Sequence, residues 1–541
     1  MTASLACAQA VLGQLLAQGV TDLVLAPGSR SAPLALVADA AAREGRLRLH
    51  VRVDERVAGF LALGLAKASG RCVPVVTTSG TAVGNLLPAV MEAHHSSVPL
   101  LVISADRPAA LVGAGANQTT DQTVVLAGFL RHLARMSSLA PAASWPAQAA
   151  RAVLAAEGAL SRHPGPAQLN IELSEPLVAG DGPIAAPSPV PPVRSGSLGP
   201  PEVVALAGTP LTVVISGDAS AVSGLAAVRL AEAAGLPLIA EPTSNARFGP
   251  NALSTGRLLL AGELGAQVQR VIVFGRPNLS RPVTALLSRP GVEVVVVSET
   301  PDYVDPGWRA SLVAGAVSVE AAPAGWLDAW LQADAARLAD VTTVLDAATE
   351  PTGPALARLV VGSVGKGQVL CLGNSNPIRD ADLAPVAAVS VPVFGNRGLS
   401  GIDGTISTAT GVALATGAPT TLLCGDLAFC HDAGALAIGP GEQRPVLRIV
   451  VADDAGGGIF ATLEYGQPRF ADAFERVFAT PTGVDPVAVA TGYGVPSRRV
   501  TTLAEVAAVL AEPVTRLEVI VVSIDRSGRA AQARRIASGQ A

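Results

Sequence analysis

Short, unbroken runs of Val, Leu and Ile recur along this chain, separated by Ala- and Leu-rich stretches with helical spacing. A strand that is apolar at every position, not at every second one, has to be covered on both faces. Helices that return the chain between such strands supply that cover and make the strands run parallel. The pattern therefore predicts an α/β fold of doubly wound parallel sheets. The runs fall into three sets: residues 22–26, 73–76 and 99–104; residues 211–216, 270–275 and 292–297; and residues 368–372, 420–424, 446–451 and 517–523. A length of 541 residues leaves room for roughly three domains of ordinary size.

The borders between the sets show in composition. Residues 176–202, PLVAGDGPIAAPSPVPPVRSGSLGPPE, are dense in Pro, Gly and Ser and have no periodicity, as in a partly extended linker. A weaker break falls at ATEPTGP, residues 348–354. The expected organisation is an α/β domain over residues 1–180, a linker over 181–200, a central α/β domain over 201–345 and a third α/β domain over 350–541.

Bulk properties exclude several classes. With 50% apolar and only 15% charged residues, the chain has large cores to bury and is not disordered. A net charge of −5 and 3% aromatic residues give neither a basic surface nor a stacking platform for nucleic acid. One long uncharged run, residues 72–91, is broken by Pro, Gly, Asn and hydroxyl residues, so no membrane insertion is expected. The opening MTASLACAQAVLGQLLAQGV has no basic leader and reads as an amphipathic helix. Five scattered cysteines without a CxxC pair, and six histidines without metal-ligand spacing, fit a reducing, cytoplasmic setting.

One segment departs from the apolar pattern. Residues 46–54, RLRLHVRVD, alternate polar and apolar side chains, which predicts a strand with one polar face. It runs through Asp54 and Glu55 into the helical stretch VAGFLALGLAKASG. Asp54 suits a helix N-cap, and Glu55 suits the positive first turn.

Ligands of parallel α/β sheets bind beyond the carboxyl ends of the strands. In the first set those ends lead into PGSRSAPL, TTSGTAVGN and ADRPAALVGAGANQTTDQ. In the third set they lead into GNSNPIRD, GNRGLSGIDGT (after VPVF), GDLAFCHD and ADDAGGGIF. Glycines there let a backbone approach a ligand closely and offer bare N–H groups to oxyanions. Asp426 and Asp454 follow two consecutive strands, so their carboxylates are expected to meet on one cation. Oxygen ligands without His or Cys favour Mg²⁺, Ca²⁺ or Mn²⁺, and Mg²⁺ usually takes phosphate as a further ligand. Arg30, Arg107, Arg281, Arg379 and Arg397 recur in these loops. Their guanidiniums suit bidentate carboxylate binding, or else structural ion pairs.

GDL followed at a distance by DDAGGGIF resembles the diphosphate–metal motif, GDG then NN, of the thiamine-diphosphate-dependent enzymes. Within that superfamily the chain is similar along nearly its whole length to the menaquinone-biosynthesis branch. That similarity is carried by APGSRSAPLAL, VDERVAGFLALGLA, TTSGTAVGNLLPAVMEA, SADRP, GANQT, GRPNLSRPV, NRGLSGIDGTISTATG, GDLAFCHD and GGGIF. The resemblance implies a thiamine-diphosphate-binding fold and a transferase that takes thiamine diphosphate with Mg²⁺ or Mn²⁺. It implies decarboxylation of 2-oxoglutarate and addition of the succinyl fragment to isochorismate. It implies that Glu55 bonds the cofactor's aminopyrimidine as the catalytic acid, and that Asp426, Asp454 and the Gly456 carbonyl hold the metal. Ser79, Gly80, Asn117, Gly425, Leu427, Ile459 and Phe460 then line the cofactor, and Ser29, Arg30, Arg107, Gln118, Arg281 and Arg397 take the acidic substrates. In this superfamily the cofactor lies between the first domain of one chain and the third of another, which implies a homodimer or homotetramer.

Two departures stand out. GDG has become GDL, and NN has become Asp453–Asp454, so an extra carboxylate stands beside the expected diphosphate and the choice of metal ligand between the two is open. Two other readings fit the same fold: another thiamine-diphosphate 2-oxoacid decarboxylase or acetohydroxyacid synthase, and a non-catalytic ligand-binding paralogue. The repeated arginines and the ADRP and GANQ segments disfavour the first, and Glu55 disfavours the second.

Overall fold

Parallel sheets carry the whole chain, as a computed structural model shows. It describes all residues except Ala179, Asp181, Ser197, Gln540 and Ala541, so the expected linker at Asp181 and Ser197 lies outside the described residues. The chain divides into two compact units. One is Met1–Gly199 with Asp403–Gly417 and Asp432–Pro445; the other is Pro200–Ile402 with Ala418–His431 and Val446–Ala541.

The first unit holds strands β1 (Asp22–Leu25), β2 (Arg48–Val51), β3 (Val73–Thr77), β4 (Leu100–Asp106), β5 (His132–Ser137) and β6 (Ala167–Glu172). They form one all-parallel sheet in the order β2-β1-β3-β4-β6-β5. The strand order reverses at β1 and β3, which opens a crevice at their carboxyl ends. β5 and β6 have no counterpart in the apolar-run pattern, because polar residues interrupt them. In β6, Gln168 and Asn170 are buried, and their amide N–H groups are taken up by a ladder to β4, while Gln168 Oε1 has no partner among the described residues. Gln168 Nε2 donates to Ser104 Oγ at 2.9 Å, and Asn170 Nδ2 donates to Asp106 Oδ2 at 2.8 Å.

The polar face of β2 is not left to water. His50 and Arg48 both bond the buried Asp22, at 2.9 and 2.7 Å, and Arg52 reaches the Val51 carbonyl and Glu442. After β2 the helix Glu55–Ser69 begins at Asp54, whose carboxylate accepts from the Arg56 and Val57 N–H groups, and it ends at Gly70 in the left-handed conformation. This helix packs on Thr405–Thr416 at backbone distance. A Cβ at Gly64 would lie 2.1 Å from the Thr408 carbonyl oxygen, and one at Gly411 would lie 2.3 Å from that of Leu61.

The second unit holds two larger sheets. Strands β7 (Val203–Leu206), β8 (Thr212–Ser216), β9 (Leu238–Ala240), β10 (Arg270–Phe274), β11 (Glu293–Val297), β12 (Ala310–Ala314) and β13 (Ala316–Val319) give a five-stranded parallel sheet, β12-β11-β10-β8-β9, and a β13–β7 pair. Strands β14 (Val369–Leu372), β15 (Val393–Phe394), β16 (Thr420–Gly425), β17 (Leu447–Asp453), β18 (Ser497–Val500) and β19 (Glu518–Ser523) form a parallel sheet ordered β15-β14-β16-β17-β19-β18. Renumbered from its first strand, this is the same strand order as the first sheet. Its reversal lies at β14 and β16, so both sheets place a crevice at the loops that carry the polar motifs.

Candidate active site

In the second unit, β16 and β17 run side by side with Gly425 opposite Ala452. Asp426 opens the short helix Asp426–His431, and Asp454 follows the last residue of β17. The Asp426 carboxylate is buried, and the nearby Leu427 and Gly456 N–H groups favour its ionised form. Burial pushes its pKa up to about 6, and the negative charge of Asp453 adds to the rise. Burial pushes Asp454 up to about 7; Asp426 raises it further, while Arg529 and Arg526 pull it back. The two carboxylates thus share one electrostatic site at the ends of neighbouring strands.

Asp453 is placed differently. Its carboxylate accepts from Arg499 Nη1 at 2.7 Å, and the same guanidinium holds Asp485. Asp454 makes no ion pair among the described residues, and its Oδ2 lies against Gly458, where a Cβ would come within 2.1 Å. Gly456 has φ 134°, and a Cβ there would meet the Ala479 carbonyl at 2.3 Å. These glycines let the loop fold tightly over the acids. Beyond them Ile459 and Phe460 are half-buried, and Phe460 packs on Phe478 with ring centroids 5.7 Å apart. Leu427 and Gly425 are also half-buried at the rim of β16.

In the first unit, Glu55 is the first residue of its helix, half-buried, and accepts from Asn85 Nδ2 at 3.2 Å. The loop after β3 meets the loop after β4. Arg107 Nη1 donates to Ser79 Oγ at 2.6 Å and to the Gln118 carbonyl at 2.7 Å. Ser79 Oγ donates to that same carbonyl, Gln118 Nε2 donates to the Ser79 carbonyl, and the Gly80 N–H donates to Gln122 Oε1. Ser79, Gly80, Arg107 and Gln118 therefore form one bonded turn at the crevice, with the exposed Asn117 beside it. Ser29 is exposed after β1, while Arg30 donates to the Leu173 carbonyl and to Glu175.

Two family descriptions match the chain in the regions that carry these loops. "Thiamine pyrophosphate enzyme, N-terminal TPP binding domain" covers residues 5–125, and the C-terminal TPP binding domain covers residues 391–524. A 2-succinyl-5-enolpyruvyl-6-hydroxy-3-cyclohexene-1-carboxylate synthase of Kineococcus radiotolerans is 48% identical over 94% of this chain and 94% of its own length. Relatives of the same name from Paenarthrobacter aurescens and Mycobacterium avium are 46% and 42% identical, over 98% and 97% of this chain and 96% and 98% of their own lengths. The chain belongs to the 2-succinyl-5-enolpyruvyl-6-hydroxy-3-cyclohexene-1-carboxylate synthase family. Neither a decarboxylase nor an acetohydroxyacid synthase is among these relatives.

Against the expectations for this synthase family, the remaining arginines differ in setting. Arg281 is exposed and pairs with Glu464, itself exposed, at 3.2 Å. Arg397 is only 2% exposed. It donates from Nη1 to Asn374 Oδ1 and from Nη2 to Asn278 Oδ1, and its Nε is buried without a hydrogen-bond partner. Arg379 donates to the Ser375 carbonyl. Several site neighbours carried no spacing signal. Asn85 ends the short helix Thr81–Asn85, and Asn278 and Asn374 sit in strand-end loops, but an amide has no motif of its own. Arg499 lies on β18, an edge strand with no apolar run to mark it.

The donor set suits a hard divalent cation: two neighbouring carboxylates, a Gly-rich backbone, and no sulfur or imidazole. Among the described residues no group of three or more His, Cys, Asp or Glu gathers for a metal, here or elsewhere, so a cation at this pair of acids takes its other ligands from backbone or ligand oxygens. The turn formed by Ser79, Gly80, Gln118 and Arg107 offers N–H groups and a cation, which suits an anionic ligand.

Proposed function

We propose that this chain decarboxylates 2-oxoglutarate and joins the succinyl fragment to isochorismate, yielding 2-succinyl-5-enolpyruvyl-6-hydroxy-3-cyclohexene-1-carboxylate and CO₂ for menaquinone biosynthesis. Thiamine diphosphate, held with Mg²⁺ or Mn²⁺, supplies the electron sink for decarboxylation. The protein's part is to bind, orient and manage protons. Asp426, Asp454 and the Gly456 carbonyl hold the cation and through it the diphosphate. Asp454 is the ligand, not Asp453, because the Asp453 carboxylate is already committed to Arg499. Gly425 and Leu427 border the diphosphate, and Ile459 and Phe460 keep water from the reacting carbon.

Glu55 holds a proton at the aminopyrimidine ring, and Asn85 fixes the carboxyl group that does so. Ser79, Gly80 and Asn117 flank the cofactor. Ser29, Arg30, Arg107, Gln118, Arg281 and Arg397 bind the substrate carboxylates, and the buried Nε of Arg397 is a donor available for one of them. The cofactor bridges the first domain of one chain and the third of a partner, so the working assembly is a homodimer or homotetramer. We take the domains as residues 1–180, 201–345 and 350–541 joined by a linker over 181–200. A cytoplasmic location suits the five cysteines, none of which forms a disulfide among the described residues. No helix is long and apolar enough to cross a membrane.

The observation that carries this reading is the pairing of Asp426 and Asp454 at the carboxyl ends of the neighbouring strands β16 and β17, in a chain whose near-full-length relatives bear the synthase name. Titration with thiamine diphosphate, followed by near-UV circular dichroism with and without Mg²⁺, tests it. Metal-dependent, saturable binding is expected; a flat titration in the presence of Mg²⁺ would rule the reading out.

A further inference from the structure

Three arginines converge on the loop that carries the paired aspartates. Arg499 reaches it from β18 and bonds Asp453 at 2.7 Å. Arg526, in the turn after β19, donates from Nη1 to the Ala455 carbonyl at 3.1 Å. The same nitrogen lies 3.0 Å from where a Cβ on Gly456 would stand. Arg529 begins the helix Arg529–Ser538 and forms a two-point pair with Asp380 at 2.8 and 3.0 Å. Arg526 and Arg529 line one cavity of about 340 Å³ together with Asp454.

The charges need this arrangement. Asp426, Asp453 and Asp454 put three carboxylates within one loop cluster, next to the place where a diphosphate is expected. Neighbouring like charges in a partly buried site repel, as the raising of Asp454 by Asp426 shows, so a second acid strengthens the hold on a cation but opposes the diphosphate. Arg499 neutralises Asp453 directly. The strongest attraction on Asp454 comes from Arg529 and then Arg526, and Asp380 opposes them more weakly. Arg526 also ties the backbone one residue before Gly456, so it fixes the turn as well as the field.

Resting on the metal–diphosphate reading above, we propose that Arg526 and Arg529 are positioning residues that supply the counter-charge allowing this chain to keep an aspartate at position 454. They act through the loop and touch neither substrate nor reacting atoms. Counter-charge has a signature that structural support lacks. Removing one of these cations should strengthen binding of a metal alone and weaken binding of the diphosphate, whereas a merely loosened loop would weaken both.

Arg526 is the better site to vary: its own ion-pair partner, Glu475, is exposed, whereas Arg529 neutralises the buried Asp380. The measurements are Mn²⁺ binding to the cofactor-free full chain by electron paramagnetic resonance, and thiamine diphosphate binding at saturating Mg²⁺ by protein fluorescence. For Arg526→Gln, Mn²⁺ should bind about threefold more tightly and thiamine diphosphate about fivefold more weakly. Adding Asp454→Asn to that variant should bring thiamine diphosphate affinity back towards wild type. Arg526→Lys and Arg529→Lys, which keep the charge, should hold both affinities within about twofold of wild type. Arg526→Gln weakening both ligands, or changing neither, would overturn the proposal. Wild-type protein that binds neither Mn²⁺ nor thiamine diphosphate would instead overturn the site reading on which it rests.

Discussion

Asn278 and Arg397 hold each other at two points: Asn278 Nδ2 donates to the Arg397 carbonyl at 2.9 Å, and Arg397 Nη2 donates to Asn278 Oδ1 at 2.5 Å. Asn278 follows β10 of the central sheet and Arg397 follows β15, so one amide joins the two sheets of this unit at a buried guanidinium. Asn278→Ala leaves that guanidinium short of an acceptor, which costs about 2 kcal/mol of stability. It also frees Arg397 to swing. The expected result is a lower melting temperature and a KM for one of the two substrates raised roughly tenfold, with a smaller change in kcat. Steady-state kinetics with each substrate varied in turn checks this.

Glu55 sits at a helix start and is bonded by a single side-chain amide, Asn85. Glu55→Gln keeps the shape and the helix but cannot exchange a proton. Thiamine diphosphate binding is expected to persist while turnover falls by about a hundredfold or more. Retained turnover in a correctly folded variant would count against the role given to Glu55.

The acids of the metal loop predict a pH dependence. Asp426 at about 6 and Asp454 at about 7 both lie above the ordinary carboxylate value, mainly through burial. Each therefore stabilises the cofactor-free protein fully only below its unfolded value, and that contribution is lost as pH rises through about 6 to 7. Divalent cations need the ionised form, so their binding grows over the same window. The rise in melting temperature on adding Mg²⁺ and thiamine diphosphate should be small at pH 5.5 and large at pH 7.5. Differential scanning fluorimetry across that range reads the effect.

Gly64 lies where two helices of the first unit touch backbone to backbone. Gly64→Val places a branched side chain against the Thr408 carbonyl, 2.1 Å from its Cβ, where no side chain can yield. Overpacking of this kind costs about 3 kcal/mol. A marked fall in thermal stability is expected, in contrast to Gly362→Ala, where a Cβ meets nothing within 4 Å.

The α/β class and the loops that carry the site were legible because fully buried strands leave unbroken apolar runs and because glycine and acid at strand ends are conspicuous. β5 and β6 were not legible, since Gln168 and Asn170 break the apolar run and find their partners, Ser104, Asp106 and Gln122, only through tertiary contact. The buried pairing of His50 with Asp22 was hidden for the same reason: the partners lie on different strands. Asp54 and Glu55 stand where the strand-to-helix pattern predicts. The partners that orient the site, Asn85, Asn278, Arg499 and Arg526, are set by tertiary contact alone, and nothing in their local sequence distinguishes them from ordinary surface polar residues.

The most direct test supplies the full-length protein with thiamine diphosphate, Mg²⁺, 2-oxoglutarate and isochorismate, and follows CO₂ release and the coupled product by mass spectrometry. The account predicts a product that needs both substrates and the cofactor, with pyruvate unable to replace 2-oxoglutarate. Equal CO₂ release from pyruvate, or 2-oxoglutarate consumed without loss of isochorismate, would contradict it.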